Sequence, residues 1–294
     1  MAHEWGLLIV LYLFLGGLSA GLLALSALAT LWGGERFRQT ACVGAWAAPW
    51  PVLAGTALLV FDLGQPFYFW KLFVAVEPRS PMWLGTWLLT IFSMVSVPYA
   101  NLFLPRTLRV WTPDDVPRWR RHLAMAGLPL GIGVGIYTGV LLGVLVARPL
   151  WNTPLLAQLF LISAVSSAAA LLLVLLRRVG TGREHRALAG ADAALIAVEL
   201  GVLAWMYVDA RTSTASVNAA VTLLTHGAYG WVFWLGVVGL GLLLPLLLET
   251  VELTSGAHRA GWEWLAQAAS TAPLFVLFGG FALRWVIVYA GQAG

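Results

Sequence analysis

Apolar residues dominate eight runs of the chain, at roughly 5–31, 42–62, 82–104, 122–147, 154–176, 188–208, 227–248 and 271–291. Each is close to the ~20 residues that a helix needs to cross the hydrocarbon core of a bilayer. Polar and charged positions gather in short connections between the runs. The pattern predicts an all-α integral membrane protein with eight transmembrane helices, forming a single polytopic domain over 1–294. "ALA" at Ala27 to Ala29 resembles a signal-peptidase site. No Lys or Arg precedes Arg36, however, and the run is longer than the apolar core of a signal peptide. The first run is therefore expected to stay in place as a helix.

Two departures from plain hydrophobicity stand out. In helix 4, Gly131, Gly135, Gly139 and Gly143 recur every four residues, a small-residue stripe on which another helix can pack closely. Tyr137 lies about 200° around the helix from that stripe and shares a face with Gly133, which is expected to leave space beside the ring. Helix 1 has a shorter version, Gly17 and Gly21 in "GGLSAG". The second departure is the connection 63–81, "LGQPFYFWKLFVAVEPRSP", where Phe67, Tyr68, Phe69, Trp70, Leu72 and Phe73 crowd between Pro66 and Pro78. It is expected to lie at headgroup depth on the outer side, as an interfacial aromatic segment open to a partner.

Composition agrees with the pattern. The chain is 60% hydrophobic and 10% charged, against roughly 25% charged in soluble domains. The formal charge of +4 follows topology and points to no nucleic-acid partner. Connections after helices 1, 3, 5 and 7 hold twelve arginines, the other side holds Lys71, Arg79, Arg148 and Arg211, and Arg284 lies within helix 8. By the positive-inside rule both termini are outside, on the periplasmic or outer side of a bacterial or archaeal cytoplasmic (inner) membrane.

The chemistry available is narrow. His3, His122, His185, His226 and His258 all avoid mid-membrane positions, so the facing His pairs of a membrane cytochrome are missing and no haem is expected. Cys42 is the single cysteine, which leaves no disulfide and no iron–sulfur cluster in this chain. No metal-ligand spacing is present. What remains is a set of intramembrane polar groups, which are costly there and usually functional, paired or facing a cavity. Tyr12 and Arg284 fall about 10 Å below the outer ends of their helices, and Tyr137 about 15 Å. Glu199 is near the midplane, Asp192 is nearer the inner end, and Asp62 closes helix 2. Each has a structural alternative. Tyr12 fits an interfacial aromatic, Arg284 a structural cation paired with Glu199, and Asp62 a turn cap in "DLGQP". Asp192 and Glu199, seven apart on one face, suit a proton route or a polar seam. A secondary transporter using Asp192, Glu199 and Arg284 is the rival reading, but the inverted repeats and broken helices of that class are not visible.

The order of motifs narrows this. "YLFLGGLSAG" in helix 1, "DLGQP" closing helix 2, "SPMWLGTWLL" opening helix 3, the Tyr137 to "RPLWN" stretch and "LRWVIVYAGQ" in helix 8 resemble the NrfD/PsrC family. Its members are integral membrane subunits of polysulfide reductase-like molybdoenzyme complexes. The resemblance implies eight helices in two four-helix bundles, in contact with membrane lipid. It implies menaquinone or ubiquinone bound as substrate, and docking to a four-cluster ferredoxin-like iron–sulfur subunit that wires the quinone to a molybdopterin catalytic subunit. The family's quinone-binding tyrosine falls on Tyr137, and a helix-1 polar residue, His in some members, falls on Tyr12. Ile9 stands where some members have Asn. A phenol with pKa near 10 is a poor proton acceptor, so Asp62 becomes the expected acceptor or relay, with Arg284 and Glu199 tuning the site. Arg148, Trp151, Asn152 and Trp70 are expected to form the docking rim.

Overall fold

A computed structural model of the chain describes residues 5–62, 66–68, 70–74, 77, 80–145, 148–255 and 269–293. The elements they form are helical, with no strand among the described residues. Among the described residues, seven helical runs are long and apolar enough to cross a membrane. This is the architecture that lipid imposes on a backbone with no water to bond, and the chain is a multi-pass membrane protein.

The first of these runs, Leu7–Asp62, is 56 residues long, more than twice what one crossing needs, and it doubles back. α1 (Leu7–Leu28) passes through a π-type turn at Ala29–Gly33 and a 3-10 turn at Gly34–Phe37, and α2 (Arg38–Ala47) and α3 (Pro49–Asp62) return. Gly34, at φ 57°, takes the left-handed conformation at this reversal, which costs glycine no Cβ clash. Along the returning limb, Ser26 Oγ donates to the Ala41 carbonyl at 2.6 Å and Ser19 Oγ to that of Ala48.

The other elements are α4 (Lys71–Val74), α5 (Pro81–Phe103), α6 (Val116–Gly143), α7 (Pro154–Leu176), α8 (Gly182–Thr212), α9 (Ala215–His226), a π-helical stretch Val232–Leu243 continuing into α10 (Leu244–Ser255), and α11 (Ala272–Ala293). Their cores coincide with the predicted runs, and α7 matches 154–176 at both ends, but several other ends differ. α6 starts at Val116, ahead of 122, because Asp115 Oδ1 accepts from the Arg118 N–H at 3.0 Å and Pro117 occupies the first turn. α8 outruns 188–208 at both ends, and its start is fixed by a capping box between Thr181 and Glu184. α9 fills a connection where the sequence predicts no element. Of the aromatic segment 63–81, residues 63–65, 69, 75–76 and 78–79 lie outside the described residues, as do His3 and His258. Its described part forms a turn at Pro66–Tyr68 and α4, with Phe67, Tyr68 and Trp70 exposed.

α1 is central. α3 and α6 pack on one side of it, α7 and α11 on the other, while α5 packs on α6 and α8 on α7 and α10. Missing side chains permit the close approach. A Cβ at Gly21 would overlap the Ala164 backbone of α7, and one at Gly131 would press on the Ala20 carbonyl of α1. Gly135 and Gly139 receive Leu161 and Ala157 of α7, so the helix-4 stripe is a packing seam.

Polar ties identify the two ends of the helices. Gln292 Oε1 accepts from the Trp5 N–H at 2.6 Å, its Nε2 donates to the Trp5 carbonyl at 3.0 Å, and Arg148 Nη1 donates to the Gln292 carbonyl at 2.7 Å. The start of α1, the end of α11 and the α6–α7 corner therefore share one face, the termini face. On the opposite face the buried Glu184 carboxylate accepts the Gln39, Thr40 and Thr181 N–H groups, each at 3.0 Å, joining the starts of α2 and α8.

Candidate functional site

Two phenols face the seam between α3, α5 and α6. Tyr12 is buried, with its ring against Gly55 of α3, where a Cβ would sit 3.5 Å from the ring edge. Tyr137 is half-buried and lies directly over Gly85 of α5, where a Cβ would overlap the phenol oxygen. Its hydroxyl donates to the Pro81 carbonyl at 3.1 Å. The two phenols are near enough to interact electrostatically. Space for the Tyr137 ring therefore comes from Gly85 across the seam. The missing side chain of Gly133, expected to supply it, faces Leu88 instead.

A cavity of about 430 Å³ lies between α3, α4 and α5, with Leu53, Thr56, Leu59, Phe73, Thr86 and Thr90 among its lining and neither phenol in its wall. Thr56 follows Gly55 and Thr86 follows Gly85, so the cavity and the phenols flank the same two helices. The hydroxyls of Thr56, Thr86, Thr90 and Ser93 each donate to the carbonyl four residues back, at 2.7–2.8 Å. Their lone pairs remain to accept from a ligand. The volume falls in the range of small-molecule sites, about 300–1,000 Å³. Asp62, half-buried, ends α3 about 10 Å along the axis from Gly55.

A second polar group occupies different helices. Arg284 of α11 is fully buried, with its guanidinium 5.7 Å from the Phe14 ring and 5.2 Å from the Phe160 ring. Nη1 donates to the Gly280 carbonyl at 2.7 Å and to Ser163 Oγ at 3.2 Å, and Nη2 to the Phe160 carbonyl at 3.4 Å. Gly17 makes room, since a Cβ there would come within 2.9 Å of Nη2. Ser163 also neighbours the buried Glu199 of α8, so its hydroxyl stands between cation and carboxylate. Further along α8, Asp192 Oδ1 accepts from Ser166 Oγ at 2.6 Å, and Asp192 faces Glu249 of α10. Asp192 Oδ2 and both Glu249 oxygens lack a partner at strict hydrogen-bond geometry. One turn beyond Glu249, Glu252 pairs with His185 Nε2 at 3.3 Å. A line of titratable groups thus runs from His185 through Glu249, Asp192 and Glu199 to Arg284.

The sequence groups Tyr12, Tyr137, Arg284 and Glu199 by depth, and the fold divides them. The phenols make their contacts with α3 and α5, Arg284 and Glu199 make theirs with α7, and α1 stands between the two sets. Trp151 is also corrected. It is 1% exposed, its indole N–H donates to the Ile287 carbonyl at 2.8 Å, its ring fills the space over Gly291, and Trp5 packs on it at 5.4 Å. It supports the α6–α7 corner from within and contributes nothing to a rim. Asn152 and Trp70 are exposed, and Arg148 is half-buried. Sequence reasoning missed Gly85, signalled only by a lone glycine in "WLGTW". It missed Glu249 as well, because the apolar run stops at 248 while the helix continues to Ser255.

All of the chain, residues 1–294, matches the family model described as polysulphide reductase, NrfD. A polysulfide reductase polypeptide of Wolinella succinogenes is 36% identical over 311 residues, covering 98% of this chain and 94% of that protein. Protein NrfD of Escherichia coli is 33% identical over 314 residues, covering 98% and 95%. A selenate reductase subunit of Mesobacillus selenatarsenatis is 26% identical over 328 residues, covering 97% of this chain and 73% of that protein.

Proposed function

The chain belongs to the polysulphide reductase NrfD family, and we propose that it is the quinone-interacting membrane subunit of a molybdoenzyme-type reductase complex. In this reading it exchanges electrons between the membrane quinone pool and an iron–sulfur partner on the periplasmic side. The observation that carries the reading is the seating of Tyr12 and Tyr137 on Gly55 and Gly85, beside an apolar cavity fringed with hydroxyls. Menaquinone or ubiquinone suits that cavity in its reduced, quinol form, with apolar walls for the isoprenoid chain and hydroxyl lone pairs to accept from the ring's two O–H groups. Bound there, it supplies two-electron, two-proton chemistry. Tyr137, whose own hydrogen goes to Pro81, offers a lone pair to a ring hydroxyl. Tyr12 closes the other side of the seam, and Asp62 takes the proton toward the termini face. Across α1, Arg284 and Glu199 continue a proton path through Asp192 and Glu249.

The fold reads as eight crossings in two four-helix bundles, α1 with α2–α3, α5 and α6, and α7 with α8, α10 and α11. The packing partners support this division. The arginine count puts the termini face outside the cytoplasmic membrane. Arg148, Asn152 and Trp70 then meet a four-cluster ferredoxin-like subunit, which carries the molybdopterin subunit. The relatives named as parts of polysulfide and selenate reductases support such partners. The test is Tyr137→Phe in the intact complex. Loss of one hydrogen bond worth about 1–1.5 kcal/mol should lower quinol-dependent turnover roughly tenfold. Turnover at the wild-type rate would refute the site.

A further inference from the structure

A second cavity, of about 300 Å³, lies among α7, α8, α9, the π-helical stretch and α11, and shares no lining residue with the phenol-side cavity. Its α8 wall centres on the stripe Leu200, Leu203, Ala204 and Tyr207, spaced by three and four residues along one face, with Met206 and Val208 to either side. Arg211 is the next residue on that stripe. Its guanidinium lies 4.8 Å over the Tyr207 ring and donates to the Tyr207 hydroxyl. Asp209 sits about 200° around the helix from Arg211, so the cavity face of α8 ends on a positive charge. From Leu200 to Arg211 the stripe rises about 16 Å. That is close to half of the ~30 Å hydrocarbon core, the depth of one leaflet.

The polar atoms of the wall already have partners. Tyr207 is joined to Arg211, Thr225 Oγ1 donates to the Val221 carbonyl at 2.8 Å and lies 2.7 Å from His226 Nδ1, and Trp234 Nε1 donates to the Thr225 carbonyl at 3.0 Å. The Thr225 hydroxyl and the Trp234 N–H are already donated within the protein, and the Tyr207 hydroxyl, which accepts from Arg211, lies at the charged end of the stripe. The rest of the wall offers apolar contact, which suits a hydrocarbon chain. We propose that this cavity holds an acyl chain of an anionic phospholipid whose phosphate is bound by Arg211 at the termini face. Charge complementarity selects that occupant, because the stripe ends on a guanidinium, a bidentate match for phosphate oxygens.

The intact complex, purified in mild detergent and washed, provides the test by mass spectrometry of its extracted lipids. The wild type should retain a phospholipid with phosphatidylglycerol favoured over phosphatidylcholine, and Ala204→Trp, which fills the cavity, should lose it. Arg211→Gln should cut the phosphatidylglycerol preference about fivefold, the worth of one surface arginine. Equal retention by wild type and Ala204→Trp would overturn the proposal, as would no retained phospholipid or a quinone found in its place. Arg211 is exposed, so Arg211→Gln removes the charge without removing buried packing. In nanodiscs of phosphatidylglycerol against phosphatidylcholine, the wild type should gain more thermal stability from phosphatidylglycerol than Arg211→Gln does. Equal gains would overturn the charge assignment.

Discussion

Gly85→Ala isolates the contact on which the phenol site rests. The added methyl would overlap the Tyr137 hydroxyl and Cζ and approach Cε1, and these atoms belong to a stiff ring that cannot fold away. Either the ring swings off α5, giving up its bond to the Pro81 carbonyl, or α5 and α6 separate. Overpacking of this kind costs about 1–3 kcal/mol, and the lost hydrogen bond adds about 0.5–1.5 kcal/mol. In a Tyr137→Leu background none of the three obstructing atoms exists, so the same methyl should cost close to nothing. Equilibrium unfolding of the four proteins in mixed micelles closes the double-mutant cycle, with an expected coupling of about 2 kcal/mol or more. Costs of Gly85→Ala that agree between backgrounds within about 0.5 kcal/mol, the margin of independent sites, would show that Tyr137 does not sit on Gly85. The seam would then lose its role.

Three further substitutions probe the second polar group and the opposite face. Arg284→Met leaves Glu199 and Ser163 buried without their cation and should destabilise the protein by about 3–5 kcal/mol. Adding Glu199→Gln should recover much of that in the same unfolding assay, and a double variant as unstable as the sum of the singles would refute the pairing. Glu184→Ala strips one carboxylate from the Gln39, Thr40 and Thr181 N–H groups and should cost about 2–4 kcal/mol. Hydrogen exchange should quicken first at the starts of α2 and α8, and unchanged exchange there would refute the clamp.

Helix positions were legible because lipid demands long apolar runs, and no soluble-like segment competes with them. Helix ends were legible only in part: α7 matches its run, while the starts of α6 and α8 depend on single capping residues, Asp115 and Thr181, rather than on hydrophobicity. The same reliance on hydrophobicity hid Glu249, placed beyond an apolar run that the helix outlasts. Trp151 was misread for a related reason: an indole in the "RPLWN" corner reads as part of a docking rim, and only tertiary packing shows the Ile287 carbonyl and Gly291 receiving it. Tyr137 was found, but the glycine that houses it sits on another helix, and one sequence carries no register between helices.

Depth, the coordinate used to assemble the site, is one-dimensional, and α1 shows what it omits. Tyr12, Gly16 and Ser19 lie on one face of that helix, toward α3 and α6, whereas Gly17 and Gly21 lie about 140–180° away, toward α7 and α11. "GGLSAG" therefore serves two neighbours at once: Gly16 lies against Thr138 of α6, and Gly17 gives the Arg284 guanidinium its room. Residues equal in depth are separated by the width of a helix when their neighbours lie on opposite faces of it. The phenols and Arg284 are therefore two sets of contacts on opposite faces of α1, and a proton path that joins them has to run past that helix.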